Sequence, residues 1–122
     1  MFDLATDHVS QHLIADFYEA GKPVAAVCHG PAAFVGVKTK DGKHLLEGRQ
    51  ATGFSNAEEK QGPYNDLMPF LLETRMVEAG AKYTKAEKDW GEKVVVDGLV
   101  ITGQNPASAK GIGEAIVKAI GA

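Results

Sequence analysis

The sequence predicts a layered α/β domain, and three observations support this fold class. A helical pattern at the start is followed by a short, wholly apolar run, Val24–Val27, which is typical of a strand buried on both faces in a parallel sheet. Helical segments and short apolar strands then alternate along the chain. Hydrophobic residues make up 44% and charged residues 24% of the 122 residues, which suits a single globular domain.

The first predicted helix covers residues 7–20. Thr6 or Asp7 can cap its start, and Gly21 suits the left-handed position after its end. Apolar residues recur at helical spacing and predict one face turned toward a core. These residues are Val9, Leu13, Phe17 and Ala20, widened by Ile14 and Tyr18.

The middle of the chain reads as short elements separated by clear turn signals. Asp41-Gly42 predicts a hairpin turn joining residues 37–40 to residues 43–46. Ser55 and Asn56 can cap a helical turn that follows a short strand over residues 51–54. A helix that opens near Pro69 and ends at Gly80 then leads to a strand over residues 81–83, with apolar positions Leu71, Leu72, Met76 and Ala79 facing inward.

The last third of the chain predicts a loop, a hairpin and a long amphipathic helix. Residues 84–92 are polar and charged, which favours a solvated loop. Trp90 is the exception within it, and it either lines the mouth of the pocket or covers the loop. A second hairpin is expected around Asp97-Gly98, and Asn105-Pro106 has the composition of a helix start with Asn105 as the cap. The helix that follows carries an apolar stripe expected to be core: Ile112, Ala115, Ile116, Ala119 and Ile120.

The beginning of the chain is unusual for this fold class. A strand with the apolar pattern of Val24–Val27 normally has a parallel neighbour on each side and helices on both faces. The later segments supply mostly hairpins and edge-like pieces. The sequence therefore resembles the second half of a doubly wound sheet whose first strands are absent, and we treat residues 1–122 as one partial domain.

The segment from Ala26 to Gly30 carries the strongest chemical signal, because it sits where a buried strand meets a helix. Small residues at its two ends permit the sharp turn of a nucleophile elbow, with Cys28 at the tip and Gly30 closing the turn at the oxyanion side. The N–H groups of the following helix are expected to stabilise a thiolate and lower the pKa of the Cys28 thiol. His29 can move protons if both side chains enter one pocket.

A third group is needed to orient the histidine, and spacing alone leaves several acidic candidates open. Glu58 and Glu59 follow a strand end, so either can reach the mouth of a neighbouring strand, although a solvated helix start is the plain alternative. The complete set of candidates is Glu47, Glu58, Glu59, Asp66 and Asp97.

Composition excludes several other classes of function. The net charge of −3, with scattered Lys and Arg, does not favour nucleic-acid binding, and no apolar run approaches the length of a membrane span. A single cysteine allows no internal disulfide, and no secretory signal is visible, so a reducing cytoplasm is the expected location. His8 and His12 stand one helical turn apart without an evident third ligand, so we expect a surface rather than a metal site.

Three segments together resemble the ThiJ/PfpI superfamily, and in particular its branch of heat-shock chaperones and glutathione-independent glyoxalases (glyoxalase III). They are KPVAAVCHGPAA at residues 22–33, TGFSNAEE at residues 52–59 and VDGLVITGQNPASA at residues 96–109. The resemblance implies a flavodoxin-like α/β/α sandwich with a mostly parallel sheet, usually dimeric. It also implies Cys28 as nucleophile, His29 as its histidine and Glu59 as the acidic third member, with no metal or organic cofactor.

Family members carry about as much chain again before the matching region. The resemblance places the first strands there, together with a glutamate for proton transfer and a glycine-rich turn that lends an oxyanion N–H. In relatives the segment similar to Met1–Leu4 directly follows that turn, so Met1 is expected to correspond to an internal methionine of a longer family domain. These 122 residues then hold about half of the site.

The leading functional hypothesis is the conversion of methylglyoxal, or a similar small 2-oxoaldehyde, to a hydroxy acid by the Cys28 thiol, with protein deglycase or weak peptidase activity as related uses. The rival is a non-enzymatic holdase chaperone of the stress response, or an inactive homologue. A glutamine amidotransferase is disfavoured because no His-x-Glu pair follows, and a papain-like protease lacks its signature around the cysteine.

Two further expectations follow from this hypothesis. Replacing Glu59 is expected to impair activity more than replacing Glu58, because the motif assigns Glu59 to the triad. The strand at residues 24–27 would lie at an open edge, so we also expect a homodimer or higher oligomer and little turnover from the isolated chain.

Overall fold

The computed structural model describes residues 1–122. Four helices and five strands follow one another in the order α1 (His8–Glu19), β1 (Val24–Val27), β2 (Gln50–Ala51), α2 (Asn56–Gln61), α3 (Leu72–Glu78), β3 (Lys82–Tyr83), β4 (Val94–Asp97), β5 (Val100–Gly103) and α4 (Ala109–Ala119). Short 3₁₀ helices occupy residues 30–33, 65–67 and 106–108. The predicted α/β class is confirmed.

The strands form two small sheets. The main sheet has the order β1-β5-β4, with β1 parallel and β4 antiparallel to β5. A second sheet pairs β2 with β3 in parallel. It is tied to the main sheet where Asp97 accepts the N–H of Gln50 and the hydroxyl of Thr102 accepts the N–H of Thr52. As a result β1, β2 and β5 all end at neighbouring points of one edge.

Helices cover both faces of the main sheet. Successive residues of a strand point to opposite faces, so Val100 joins the main core cluster while Ile101 is buried outside it. α4 packs against β1, β4 and β5. At Gly103 a Cβ atom would come within 2.7 Å of Ile112 and 3.0 Å of Val27, so glycine permits this close packing of α4 on the end of β5.

The first helix forms where the sequence predicts it. The Asp7 carboxylate caps α1 by accepting the N–H groups of Val9 and Ser10, and Gly21 has φ of 76° directly after the end. The expectation that its whole apolar stripe faces a core is wrong. No residue of α1 is buried, and Leu13 and Phe17 are 58% and 44% exposed.

The strand β1 pairs on one side only, because it lies at the edge of the main sheet. Val24 is buried, Ala25 is exposed, and Ala26 and Val27 are half-buried. The expected burial on both faces is therefore not reached within these residues. An open apolar groove of about 530 Å³ lies between β1 and α1, lined by Leu4, Leu13, Ile14, Phe17, Val24 and Phe34.

The remaining elements follow the sequence signals with local differences. Residues 37–46 make a tight turn with a single antiparallel bridge, Lys38 to His44, instead of two strands. The helix predicted after Pro31 is only a 3₁₀ helix, Gly30–Ala33. In α4 only Ile112 is buried, while Ile120 is 60% exposed, so the predicted core stripe is shorter than expected. None of the helices is long and apolar enough to span a bilayer.

Candidate functional site

Cys28 sits at the tip of a sharp turn at the end of β1. Its φ of 64° is left-handed, which is uncommon for a residue with a side chain and concentrates at functional sites. The turn is held from both sides, because the N–H of Cys28 donates to the Gly103 carbonyl and its own carbonyl accepts the N–H of Phe54. The strand-to-turn geometry predicted for a nucleophile elbow is present.

Small residues allow this turn to close. A Cβ atom on Gly30 would lie 3.3 Å from the Cβ of Ala26, a distance tighter than ordinary packing. Gly30 therefore lies close against β1, and a Cβ atom at this position would require Ala26 or the turn to shift by a few tenths of an ångström.

His29 and Glu59 meet beside the cysteine. The Cys28 sulfur lies 3.6 Å from Nδ1 of His29, and Nε2 of His29 lies 2.5 Å from Oε2 of Glu59. An ionised carboxylate only accepts hydrogen bonds, so Nε2 carries the proton and Nδ1 is free to accept one from the thiol. Glu59 is nearly fully buried while the imidazole is about one-third exposed, at 5% and 32% of side-chain surface.

Of the acidic candidates, the structure brings one into contact with His29. Glu59 is the only one bonded to His29, in α2, which starts after a four-residue connection from the end of β2. Glu47 is exposed and Asp97 binds Gln50 and Arg49 at the far end of the sheet. The alternative of a solvated helix start is wrong, since Glu58 and Glu59 are both buried.

The thiol is less acidic than the sequence suggests. Burial raises the pKa of Cys28, and the negative charges of Glu58 and Glu59 raise it further, while a hydrogen bond from the His29 backbone opposes them. The 3₁₀ helix that follows has a single turn, so the dipole of a longer helix is absent. The expectation of a lowered pKa is therefore wrong for this structure, and the resting group is a neutral thiol.

Four residues that sequence analysis did not assign to the site surround it. Phe54 packs on His29 with ring centroids 4.3 Å apart, and Trp90 meets Phe54 edge-on at 5.4 Å. Gln104 and Asn105 are fully buried and donate to the Glu58 carboxylate. Asn105 is the N-cap residue of the 3₁₀ helix at residues 106–108, as predicted, but its side chain makes no capping bond, because its Oδ1 accepts the Ser108 hydroxyl. The only sequence signal for any of these four residues was the isolated aromatic side chain of Trp90 in a polar loop.

His8 and His12 lie apart from this site. They line a pocket of about 310 Å³ with Gln11, Gly36 and Lys38, between α1 and residues 36–38. No group of three or more His, Cys, Asp or Glu side chains is arranged so that it could hold a metal ion. This pair offers no donor set for a metal ion.

Comparison with known proteins places the fold and the motifs in context. A model of the DJ-1/PfpI family matches residues 2–119. Glyoxalase 3 of Candida albicans is 35% identical over 98% of this chain, and the glutathione-independent glyoxalase HSP31 of Saccharomyces cerevisiae is 35% identical over 89%. The matches cover 52% and 48% of those two proteins, so the chain spans about half the length of the curated relatives.

Solved structures agree with the sequence comparison. The Francisella tularensis Rapid Encystment Protein 24 kDa superposes with a TM-score of 0.92 at 38% identity, over 98% of this chain and 52% of that one. Crystalline glyoxalase III from Candida albicans gives 0.90 at 32% identity, over 97% and 52%. The architecture predicted from the resemblance is therefore confirmed.

The raised pKa of Cys28 can be measured directly. We expect ultraviolet titration of thiolate absorbance to give an apparent pKa above the free-thiol value of about 8.5. The Cys28→Ser variant supplies the baseline, because Cys28 is the only cysteine. An apparent pKa below about 8.5 would contradict this assignment and restore the acidic thiol.

Proposed function

This chain belongs to the DJ-1/PfpI family, and from that premise we propose that it carries the thiol half of a glyoxalase III-type site. The substrate class is a small 2-oxoaldehyde such as methylglyoxal, which is converted to its hydroxy acid without glutathione. The observation that carries the proposal is the contact series from the Cys28 sulfur through His29 to Glu59. Relatives named as glutathione-independent glyoxalases support the substrate class.

The first step is addition of the thiol to the aldehyde. The sulfur of Cys28 bonds to the aldehyde carbon while its proton passes to Nδ1 of His29 and then to the carbonyl oxygen, giving a hemithioacetal. Since the resting thiol is neutral, His29 acts as general base at the moment of attack. Glu59 accepts the Nε2–H and stabilises the imidazolium that forms, so it orients the base without exchanging protons with substrate.

The second step moves a proton between the two substrate carbons through an enediol and leaves a thioester. In this proposal the transfer is made by a glutamate that the family resemblance places outside these 122 residues. Water then cleaves the thioester, which releases the hydroxy acid and restores the Cys28 thiol. The proposed steps balance without a metal ion or an organic cofactor.

A second candidate function, holdase chaperone activity, is favoured by the exposed apolar surface between α1 and β1. Phe17, Leu13 and Leu4 leave large apolar areas open next to the unpaired edge of β1. Exposed surfaces of this kind mark sites of protein association. A holdase would delay aggregation of an unfolded client equally well in the wild type and in Cys28→Ser.

The catalytic proposal is tested with lactate assays on methylglyoxal. The 122-residue chain alone should form little lactate, whereas a chimaera in which the N-terminal half of Candida albicans glyoxalase 3 precedes Met1 should form it readily. In the chimaera, Cys28→Ser should abolish lactate, and Glu59→Gln should lower kcat by about 100-fold, because the general base His29 loses the group that orients it.

Glu87→Gln is the matched control, because Glu87 is an exposed glutamate whose side chain makes no hydrogen bond or ion pair with the site. Lactate formation that persists in the Cys28→Ser chimaera would refute thiol catalysis. The expectation that Glu59→Gln impairs activity more than Glu58→Gln stays a prediction. Glu58→Gln also disturbs a buried hydrogen-bond network, so its effect on folding is measured alongside its activity.

We also propose that a second copy of this chain covers the groove between α1 and β1, giving a homodimer. An edge strand with unpaired backbone groups beside exposed Leu13 and Phe17 favours such pairing. Sedimentation equilibrium should show a dimer, which Phe17→Lys shifts toward monomer. Val77→Lys is the control, since Val77 is an exposed apolar residue on α3, outside the groove. A monomer at the highest soluble concentration, or equal effects of both variants, would contradict the proposal.

A further inference from the structure

Glu58 has no role in the proposed chemistry, yet it is the most densely bonded carboxylate of the molecule. It is fully buried and accepts five hydrogen bonds. Desolvation pushes its pKa upward, but bonds from Asn105, Gln104 and the Ser55 and Trp90 backbone outweigh this and hold the pKa below its usual range. Glu58 is therefore a buried, ionised group that depends on its donors.

The bonds of Glu58 join three separate segments around the elbow. Oε1 accepts from Ser55 at the start of α2 and from Gln104 after β5, at 3.0–3.1 Å. Oε2 accepts from Asn105 at 2.9 Å and from the backbone N–H of Trp90 at 2.7 Å. One carboxylate thus fixes the loop of residues 84–92 to the two strand ends that flank Cys28.

Trp90 is held in a conformation that it would not adopt freely. Its φ of 66° is left-handed, which for a bulky residue persists only where the surroundings determine it. The restraints are the bond to Glu58 and a second bond, 3.0 Å long, from the indole Nε1–H to Oε1 of Gln61. In this conformation the indole makes a T-shaped contact with Phe54, and Phe54 in turn packs on the imidazole of His29.

We propose that Glu58 is a positioning residue of the Cys28 site. By holding Trp90 in its left-handed conformation, Glu58 keeps Phe54 packed against His29. This packing keeps the imidazole between the Cys28 sulfur and Glu59. The inference rests on the proposed thiol chemistry. It is tested without turnover, through the reactivity of Cys28 and the fluorescence of Trp90, so an absence of glyoxalase activity would not be mistaken for its failure.

Glu58→Gln is the informative change because it keeps shape and removes charge. Whichever oxygen the amide nitrogen replaces, it faces at least two groups that donate to Glu58 in the wild type. We expect Trp90 to leave its conformation and become more exposed. Trp90 is the only tryptophan, so its emission maximum should move to longer wavelength.

Alkylation of Cys28 by iodoacetamide at pH 7 measures the consequence at the site. A neutral thiol becomes reactive when its proton moves to Nδ1 of His29, so a displaced imidazole lowers the thiolate population. We expect the alkylation rate of Glu58→Gln to fall roughly tenfold, a part of the full contribution of a general base.

Two matched variants separate this role from a general structural one. Ser55→Ala removes the other half of the α2 capping box but leaves the bond from Trp90 to Glu58, so it should lower stability without moving the Trp90 emission. Glu87→Gln changes an exposed glutamate of the same loop and should change neither emission nor alkylation.

Trp90→Gly keeps the proposal falsifiable if circular dichroism shows that Glu58→Gln does not fold. Glycine adopts the left-handed conformation without strain and keeps the N–H bond, but it removes the indole. Its alkylation rate should fall about as far as that of Glu58→Gln, and the double variant should show no further loss. An alkylation rate within twofold of wild type in Trp90→Gly, or in a folded Glu58→Gln with shifted emission, would overturn the proposal.

Discussion

The left-handed backbone of Cys28 is the constraint on which the rest of the site depends. A non-glycine residue in this region costs on the order of 1–3 kcal/mol, and the surrounding structure must supply that energy. Here both peptide groups of Cys28 are bound, one to Gly103 at the end of β5 and one to Phe54 after β2. The elbow exists because three parallel strand ends meet at one edge.

The electrostatics of the site follow from its burial. Two carboxylates lie close to a half-buried thiol, so the charged sulfur is disfavoured at rest and His29 becomes the group that must take its proton. The two carboxylates have different roles. Glu59 bonds to the imidazole, whereas Glu58, its neighbour in sequence, is bound on every side by donors from other segments. Adjacent residues on a helix point in different directions, which is what separates the two roles.

Local signals in the sequence predicted much of this arrangement. The elbow at Cys28, the capping by Ser55 and the left-handed Gly21 depend on neighbouring residues only, and each is found in the structure. The family resemblance singled out Glu59, which the structure then brings to His29. Gln104, Asn105 and Trp90 were not predicted as partners of Glu58, because their bonds span 32 to 47 residues of sequence and no local pattern encodes them. The thiol pKa was predicted in the wrong direction for the same reason, since it is set by burial and by distant charges.

If His29 is the base that activates a neutral Cys28, the pH dependence of Cys28 alkylation in the wild type and in His29→Asn tests this most directly. Asparagine cannot take up the thiol proton near neutral pH. We expect the wild type to react about tenfold or more faster below pH 8, and the two profiles to converge once the thiol ionises by itself. Profiles that superimpose over the whole pH range would contradict it.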